Sequence, residues 1–387
     1  MSISETRIVP ELMHHLLATR QFLPISRKKT FPDELCLIML SRIPGRCCAI
    51  RSSKPRLICK SFSTITSVKV IETPFNAVDI SEFRESAFRP GIPRLFKQPA
   101  SSSTKSPFPA VNKWFKHIEA FHPQALTQEP TIPFASYMNQ FAHHMLPYEL
   151  MSPQLSEETG LIVDTTNQFL NWLASGSDPM GAVLAGIVHA ASYPDVSEPR
   201  FSSFTAPFLL LLKAVEFNRL HNKKIKQLYV AQAQLPDLPP ELQDDLPVPR
   251  IVREAGNGDV YSSSVWLGLE PTYTPLHRDP NPNLFCQLVG EKAIRLLPPL
   301  SGDRLYRRVQ TQIQQSGNSR IRTTEMMEGR GRVVMNAAVW GMEGPEDIME
   351  ARLGPGDALF IPTGWWHSVK SGHHDGRLNA SVNWWFR

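Results

Sequence analysis

Three side chains in the last third of the chain have types and spacing that suit one metal ion: His277, Asp279 and His367. His277 and Asp279 are two residues apart, and in an extended strand such residues point to the same side. His367 follows the strand-like run Asp357-Ala-Leu-Phe-Ile-Pro362 and the turn Thr363-Gly-Trp-Trp366, so a second strand can deliver it. Two imidazoles and one carboxylate on one face of an octahedron leave three positions open. That set suits Fe(II) chemistry in which a bidentate co-substrate and O₂ bind together. Alone, His-x-Asp is a weak signal that a polar surface pair reproduces. No Ser or Cys nucleophile motif and no Gly-x-x-x-x-Gly-Lys phosphate loop competes with it.

The elements that must position these residues read as short strands. Val265–Leu269, Leu284–Val289, Ala293–Leu297, Val333–Val339, Ala358–Ile361 and Ala380–Trp385 are apolar runs broken by Gly, Pro and Asn/Asp. Strands at this spacing predict a barrel or sandwich. Leu228–Ala233 precedes them as a further strand, and Phe204–Asn222 reads as a helix. Further upstream, Val68–Ile71 is a strand candidate. Asp79-Ile-Ser-Glu82 has the pattern of a capping box, opening a helix that Arg89-Pro-Gly-Ile-Pro93 ends. An amphipathic helix is predicted around Trp114–Phe121, and Gln310–Arg332 reads as an exposed polar insertion. His189 lies in an apolar run and reads as a core residue. His14, His15, His143, His144, His373 and His374 read as surface residues.

Composition excludes some classes. Residues 1–66 hold eleven of the 41 Lys/Arg and only four of the 36 Asp/Glu, so 67–387 carries 30 basic against 32 acidic residues. A nearly neutral body lacks the basic footprint of a nucleic-acid binder. No run of about 18 apolar residues occurs, so no membrane span is expected; Met180–Ala191 and Pro207–Leu212 are too short and read as buried helix. Proline, at 34 of 387 residues, favours a loop-rich or β-rich fold over a helical bundle. Four of the five cysteines lie before residue 60, which leaves the body no disulfide framework and makes a reducing compartment the expectation.

Residues 1–66 read as a basic tail. From Arg42 to Lys60 there are six basic residues and no acid, interleaved with Ser, Leu, Ile and Cys. That is the pattern of a mitochondrial presequence, and Met39 could be its start; a cytoplasmic or nuclear location is the other reading. Residues 67–227 are then expected to form a helical and mixed segment, and 228–387 the barrel.

With these features in place, the chain resembles the JmjC/cupin-like 2-oxoglutarate oxygenases, especially the asparaginyl hydroxylase that inhibits hypoxia-inducible factor. The resemblance is carried by Thr274-Pro-Leu-His277-Arg-Asp279, Asn283-Leu-Phe285, Gln287 and Gly290-Glu-Lys292. It continues through Gly354-Pro-Gly-Asp-Ala-Leu-Phe-Ile-Pro-Thr-Gly-Trp-Trp-His367 and Val382-Asn-Trp-Trp385. It is dense over 228–299 and 353–387, thinner over 68–227, and absent from 1–66. It implies a mainly β fold with flanking helices, a double-stranded β-helix or jelly-roll. It also implies an Fe(II)-, 2-oxoglutarate- and O₂-dependent dioxygenase.

By position, the resemblance implies that His277, Asp279 and His367 hold iron. Lys292, with the hydroxyls of Thr274 and Tyr229, would pair with the distal carboxylate of 2-oxoglutarate, since a partly buried dianion needs a cation and donors there. Asn283 and Asn383 would donate near the iron or co-substrate, and Phe285 would pack on the latter. Phe285, Trp365, Trp366 and Trp385 read equally as barrel packing and as ligand contacts. The implied substrate is a protein or peptide side chain that is hydroxylated. The same core also serves N-methyl-lysine demethylation, tRNA-base hydroxylation, or a catalytically silent binding module. The chain stops just after its last predicted strand, so dimerisation through carboxy-terminal helices is not expected and the oligomeric state is open.

Overall fold

The computed structural model describes residues 65–98, 106–116, 133–152, 154–155, 162–163, 165–192, 200–314, 327–342 and 344–387. They belong to one compact unit, Lys60–Arg387. The presequence-like run 39–60 lies outside the described residues, as do 117–132 and 315–326.

Eight strands form the barrel: β9 (Val260–Leu269), β10 (Tyr273–Arg278), β11 (Asn283–Val289), β12 (Lys292–Leu297), β13 (Met349–Leu353), β14 (Ala358–Ile361), β15 (Trp366–Ser371) and β16 (Leu378–Phe386). Eight shorter or flanking strands precede them: β1 (Thr66–Ser67), β2 (Val70–Ile71), β3 (Arg94–Phe96), β4 (Met145–Ser152), β5 (Gln154–Leu155), β6 (Ile162–Val163), β7 (Arg200–Pro207) and β8 (Leu228–Gln234). One of the two large sheets has the order β1-β13-β12-β15-β10, the other β2-β3-β14-β11-β16-β9-β8-β4-β7, and β5 and β6 form a separate two-stranded pair. From β9 to β16 consecutive strands alternate between the two sheets, except β12 and β13, which pair within one, and this is the jelly-roll wiring that the resemblance implies. The expected strand Val68–Ile71 is shorter than expected: only Val70–Ile71 is extended as β2, while β1 lies just before it at Thr66–Ser67 and joins the other sheet.

Side-chain parity sorts the interior. Along β11, Leu284, Cys286 and Leu288 face the outer core, while Phe285 packs between the sheets with Ile294, Leu296, Leu359 and Ile361. The neighbouring tryptophans of β16 divide in the same way. Trp384 stacks outward on Phe108 at 5.4 Å, and Trp385 turns inward to Asp279. Outside the larger sheet, Phe83 and Phe88 pack on Phe360. The Asp79 side chain caps their helix by accepting from Glu82 N at 2.8 Å, as the capping pattern predicts. Among the described residues no helix is long and apolar enough to cross a membrane.

Several local expectations are corrected. Val333–Val339 is not a strand but lies in the helix Gly329–Trp340. Its buried residues Met335 and Val339 are one helical turn apart, and Val333 is left 67% exposed. With Leu305, Tyr306 and Val309 of the helix Pro299–Ile313, they cover the outer face of the smaller sheet. Both ends of the expected polar insertion Gln310–Arg332 are helical, in Pro299–Ile313 and Gly329–Trp340, and 315–326 lie outside the described residues. Phe204–Asn222 is not one helix: residues up to Pro207 belong to β7, paired with β4, and the helix is Leu209–Leu220. Pro207 fits at the boundary, where it can end a strand but cannot continue a helix from before it. Of the helix expected around Trp114–Phe121, residues 114–116 are not helical but follow the helix Pro109–Lys113, which its proline starts and Trp114 ends, and 117–121 lie outside the described residues. His189 is exposed on the helix Pro179–Ala191, because Gly181, Leu184 and Val188 form the buried stripe and residue 189 lies off it.

Candidate active site

The antiparallel pairing of β10 with β15 sets His277 directly opposite His367, with ring centroids 4.2 Å apart. Asp279 follows immediately after β10. His367 Nε2 lies 3.6 Å from Asp279 Oδ2, and His277 Nε2 4.0 Å from Oδ1. One ligand atom from each residue lies within 4.8 Å of the others, and among the described residues this is the one His/Cys/Asp/Glu group close enough to hold an ion.

The protons are placed by the backbone. His277 Nδ1 is 2.8 Å from the Pro275 carbonyl and His367 Nδ1 3.3 Å from that of Trp365. A carbonyl only accepts, so each Nδ1 carries a hydrogen, and the neutral ring that binds a metal would present its lone pair at Nε2. Burial pushes the Asp279 carboxyl upward. His367, His277, Trp385 and Asn283 together outweigh that effect and hold it below the ordinary carboxylate range. Both side-chain donors act on one oxygen: Trp385 Nε1 donates to Oδ2 at 2.7 Å and Asn283 Nδ2 at 3.1 Å. Oδ1 is the oxygen left for a metal. The donor set, two imidazoles and a carboxylate whose second oxygen is already hydrogen-bonded, fits Fe(II).

Behind Asp279 runs a directed chain of hydrogen bonds. Trp266 Nε1 donates to Asn383 Oδ1 at 2.7 Å, Asn383 Nδ2 to Asn283 Oδ1 at 3.4 Å, and Asn283 Nδ2 to the carboxylate. Asn283 and Asn383 are each only 2% exposed, so these bonds fix which way each carboxamide faces.

The second cluster is built around Lys292, the first residue of β12, which is 3% exposed. Its ammonium donates to Ser381 Oγ at 2.7 Å and to the Tyr229 hydroxyl at 3.1 Å, both on the opposite sheet. It lies 5.2 Å from the centre of the Phe285 ring. A buried ammonium among hydroxyls and a ring is a ready receptor for a carboxylate. Thr274 lines a hollow beside Tyr229 with Tyr273 and Arg332, and its carbonyl accepts from Ser368 Oγ at 2.8 Å.

Sequence reasoning missed four contributors. Ser381 and Asn379 share the strand face of Asn383, a parity signal available from the sequence. Trp385, read equally as packing and as a ligand contact, anchors Asp279, a role the sequence did not show. Gly268 makes room for Tyr229: a Cβ there would fall 2.2 Å from Tyr229 Cδ2. The inward face of β16 thus holds Asn379, Ser381, Asn383 and Trp385 in one row, with Lys292 and Asp279 served from the same strand. Trp366 instead faces outward, with Nε1 donating to Asp303 at 3.1 Å, and Trp365 Nε1 donates to the Gly91 carbonyl.

Comparison with known proteins agrees with this layout. The cupin-like domain family matches residues 156–387. The chain is 32% identical over 158 residues to the lysine-specific demethylase JMJ30 of Arabidopsis thaliana, covering 41% of this chain and 33% of that protein. It is 32% identical over 159 residues to lysine-specific demethylase 8 of Danio rerio, covering 41% and 36%. JmjC domain-containing protein D of Dictyostelium discoideum is 30% identical over 163 residues, covering 37% and 32%. The chain spans about a third of the length of these curated relatives. The matches support the JmjC oxygenases at large and do not single out the asparaginyl hydroxylase.

Proposed function

The chain belongs to the cupin-like JmjC family of 2-oxoglutarate oxygenases, and from that membership we propose that it uses Fe(II) and 2-oxoglutarate to hydroxylate a C–H bond of a protein side chain. The observation that carries this reading is one barrel holding both halves of the requirement. His277, Asp279 and His367 converge, and Lys292 is buried among the hydroxyls of Tyr229 and Ser381.

Iron bound by the triad would supply the redox centre at which O₂ is reduced while 2-oxoglutarate is decarboxylated to succinate. The protein's own groups do the rest. Lys292 binds the distal carboxylate and so orients the keto-acid end toward the triad. Phe285 packs beside it. Asn283 and Trp385 hold Asp279 in its ionised form, and the Nδ1 contacts of both histidines keep their lone pairs turned inward. No side chain is required as a general base, because the hydrogen removed from carbon is not taken by the protein.

A second reading has its own support. Two of the relatives named above are called lysine-specific demethylases, and hydroxylation of an N-methyl group releases formaldehyde by the same chemistry. The test incubates the protein, Fe(II), 2-oxoglutarate and ascorbate with unmodified peptides, with N-methyl-lysine peptides and, separately, with tRNA. One added oxygen retained on a peptide, without formaldehyde, supports hydroxylation. Formaldehyde equal to succinate supports demethylation. Peptides that neither gain oxygen nor lose methyl, with succinate formed only on tRNA, would overturn the protein-substrate reading.

A further inference from the structure

Asn379 forms a buried polar cluster on the barrel wall with Gln287 and Glu270, and all three are 0% exposed. Asn379 joins them. Its Nδ2 donates to Glu270 Oε1 at 2.8 Å and to the Glu291 carbonyl at 2.9 Å. Its Oδ1 accepts from Gln287 Nε2 at 3.1 Å. Glu270 Oε2 accepts from the His373 backbone N–H at 2.5 Å. A buried carboxylate and two carboxamides are costly to bury, and apolar residues of similar volume can fill such a space without that cost.

The cluster grips one peptide group. The Glu291 carbonyl and the Lys292 N–H belong to the same rigid plane, so Asn379 holds the unit from which Lys292 emerges. Gly372 N donates to the same carbonyl at 2.7 Å. The turn fits around the clamp only because residue 290 is glycine. It has φ +71°, and a Cβ there would lie 2.8 Å from Asn379 Nδ2 and 3.2 Å from Glu270 Oε1. A lysine side chain has four rotatable bonds and loses much freedom when ordered. Fixing its root restricts where the ammonium can reach, and here it reaches Ser381, two residues further along the strand that carries Asn379.

We infer that Asn379, backed by Glu270 and Gln287, is a positioning residue for the co-substrate, fixing the Glu291–Lys292 peptide so that the Lys292 ammonium is aimed at the distal carboxylate. This rests on the 2-oxoglutarate reading of the site. Asn379→Leu keeps the branched heavy-atom outline and removes both N–H donors. Gly290→Ala presses on the same clamp from the turn and leaves Asn379 in place.

The experiment titrates Mn(II), and then 2-oxoglutarate, into the full chain and both variants by calorimetry. Each folded variant is expected to bind Mn(II) within about threefold of the parent and 2-oxoglutarate at least about tenfold more weakly, the loss of roughly one charge-assisted hydrogen bond. KM for 2-oxoglutarate should rise while kcat changes little. If Asn379→Leu does not fold, Gly290→Ala carries the test. Parent-like 2-oxoglutarate affinity in the folded variants would overturn the inference, and so would an equal loss of Mn(II) and 2-oxoglutarate binding, which marks general damage. A parent that binds Mn(II) but no 2-oxoglutarate would overturn the site reading beneath it.

Discussion

Trp385→Phe removes one hydrogen-bond donor and little else, and its effect can be worked out from the geometry. Trp385 Nε1 and Asn283 Nδ2 both donate to Asp279 Oδ2, at 2.7 and 3.1 Å. A hydrogen bond to a charged group contributes roughly 1.5–3 kcal/mol, and losing a partner of a metal ligand typically costs about 10–100-fold in metal affinity. Trp385 is partly exposed, so water can replace some of the lost donation, and the low end, about tenfold, is expected. The sign with pH follows from the charge. Trp385 is one of the groups holding Asp279 below the ordinary carboxylate range, so without it the carboxyl takes up its proton at higher pH. Metal binding by the variant should therefore fail at a higher pH than in the parent as the solution is acidified. Calorimetric Mn(II) titrations across the acidic range measure both effects. Parent-like affinity and pH dependence would show that Oδ2 is not the oxygen held by the protein, and the assignment of Oδ1 as the metal ligand would fall with it.

Three further perturbations test other parts of the structure. Lys292→Met should weaken 2-oxoglutarate binding by roughly 100-fold through loss of charge-assisted hydrogen bonds, with Mn(II) affinity kept; retained 2-oxoglutarate affinity would remove Lys292 from the site. Gly268→Ala should cost about 1–3 kcal/mol of stability by overpacking against Tyr229, seen as a lower urea midpoint, and an unchanged midpoint would contradict the close approach. Burial raises the Glu270 carboxyl above its ordinary value, and the hydrogen bonds from Asn379 and His373 only partly offset this. The folded state then binds that proton more tightly than the unfolded chain does. Its contribution to stability is lost as pH rises from the ordinary carboxylate value through the raised one. Glu270→Gln lacks this term, so its stability relative to the parent should improve over that window in pH-dependent denaturation, and a constant difference would refute the shift.

The barrel strands were legible because they are short, apolar and punctuated by turn residues, and β11, β14 and β16 read as nearly continuous runs because both of their faces are buried. Val333–Val339 misled for the same reason. Its β-branched residues suggest a strand, whereas its burial follows a helical turn that becomes visible only against the sheet it covers. At Phe204–Pro207 the local apolar run concealed a strand whose partner, β4, lies more than fifty residues earlier. The candidate site divides likewise. His277, Asp279 and His367 are marked by residue type and spacing, and the structure brings them together. The groups that set their orientation are not so marked. Asn379 and Gly268 act across strand pairs, and Trp385 differs from its neighbour Trp384 only in parity. The chemistry of a ligand can be read from its type, but its support depends on register between distant strands.

The most direct test of the central claim is conversion of 2-oxoglutarate to succinate by the purified chain with Fe(II), ascorbate and O₂, beside Asp279→Ala. The account predicts succinate from the parent and its loss in a folded Asp279→Ala variant that no longer holds the metal. Equal succinate formation by both proteins, or a parent that binds neither Fe(II) nor 2-oxoglutarate, would contradict it.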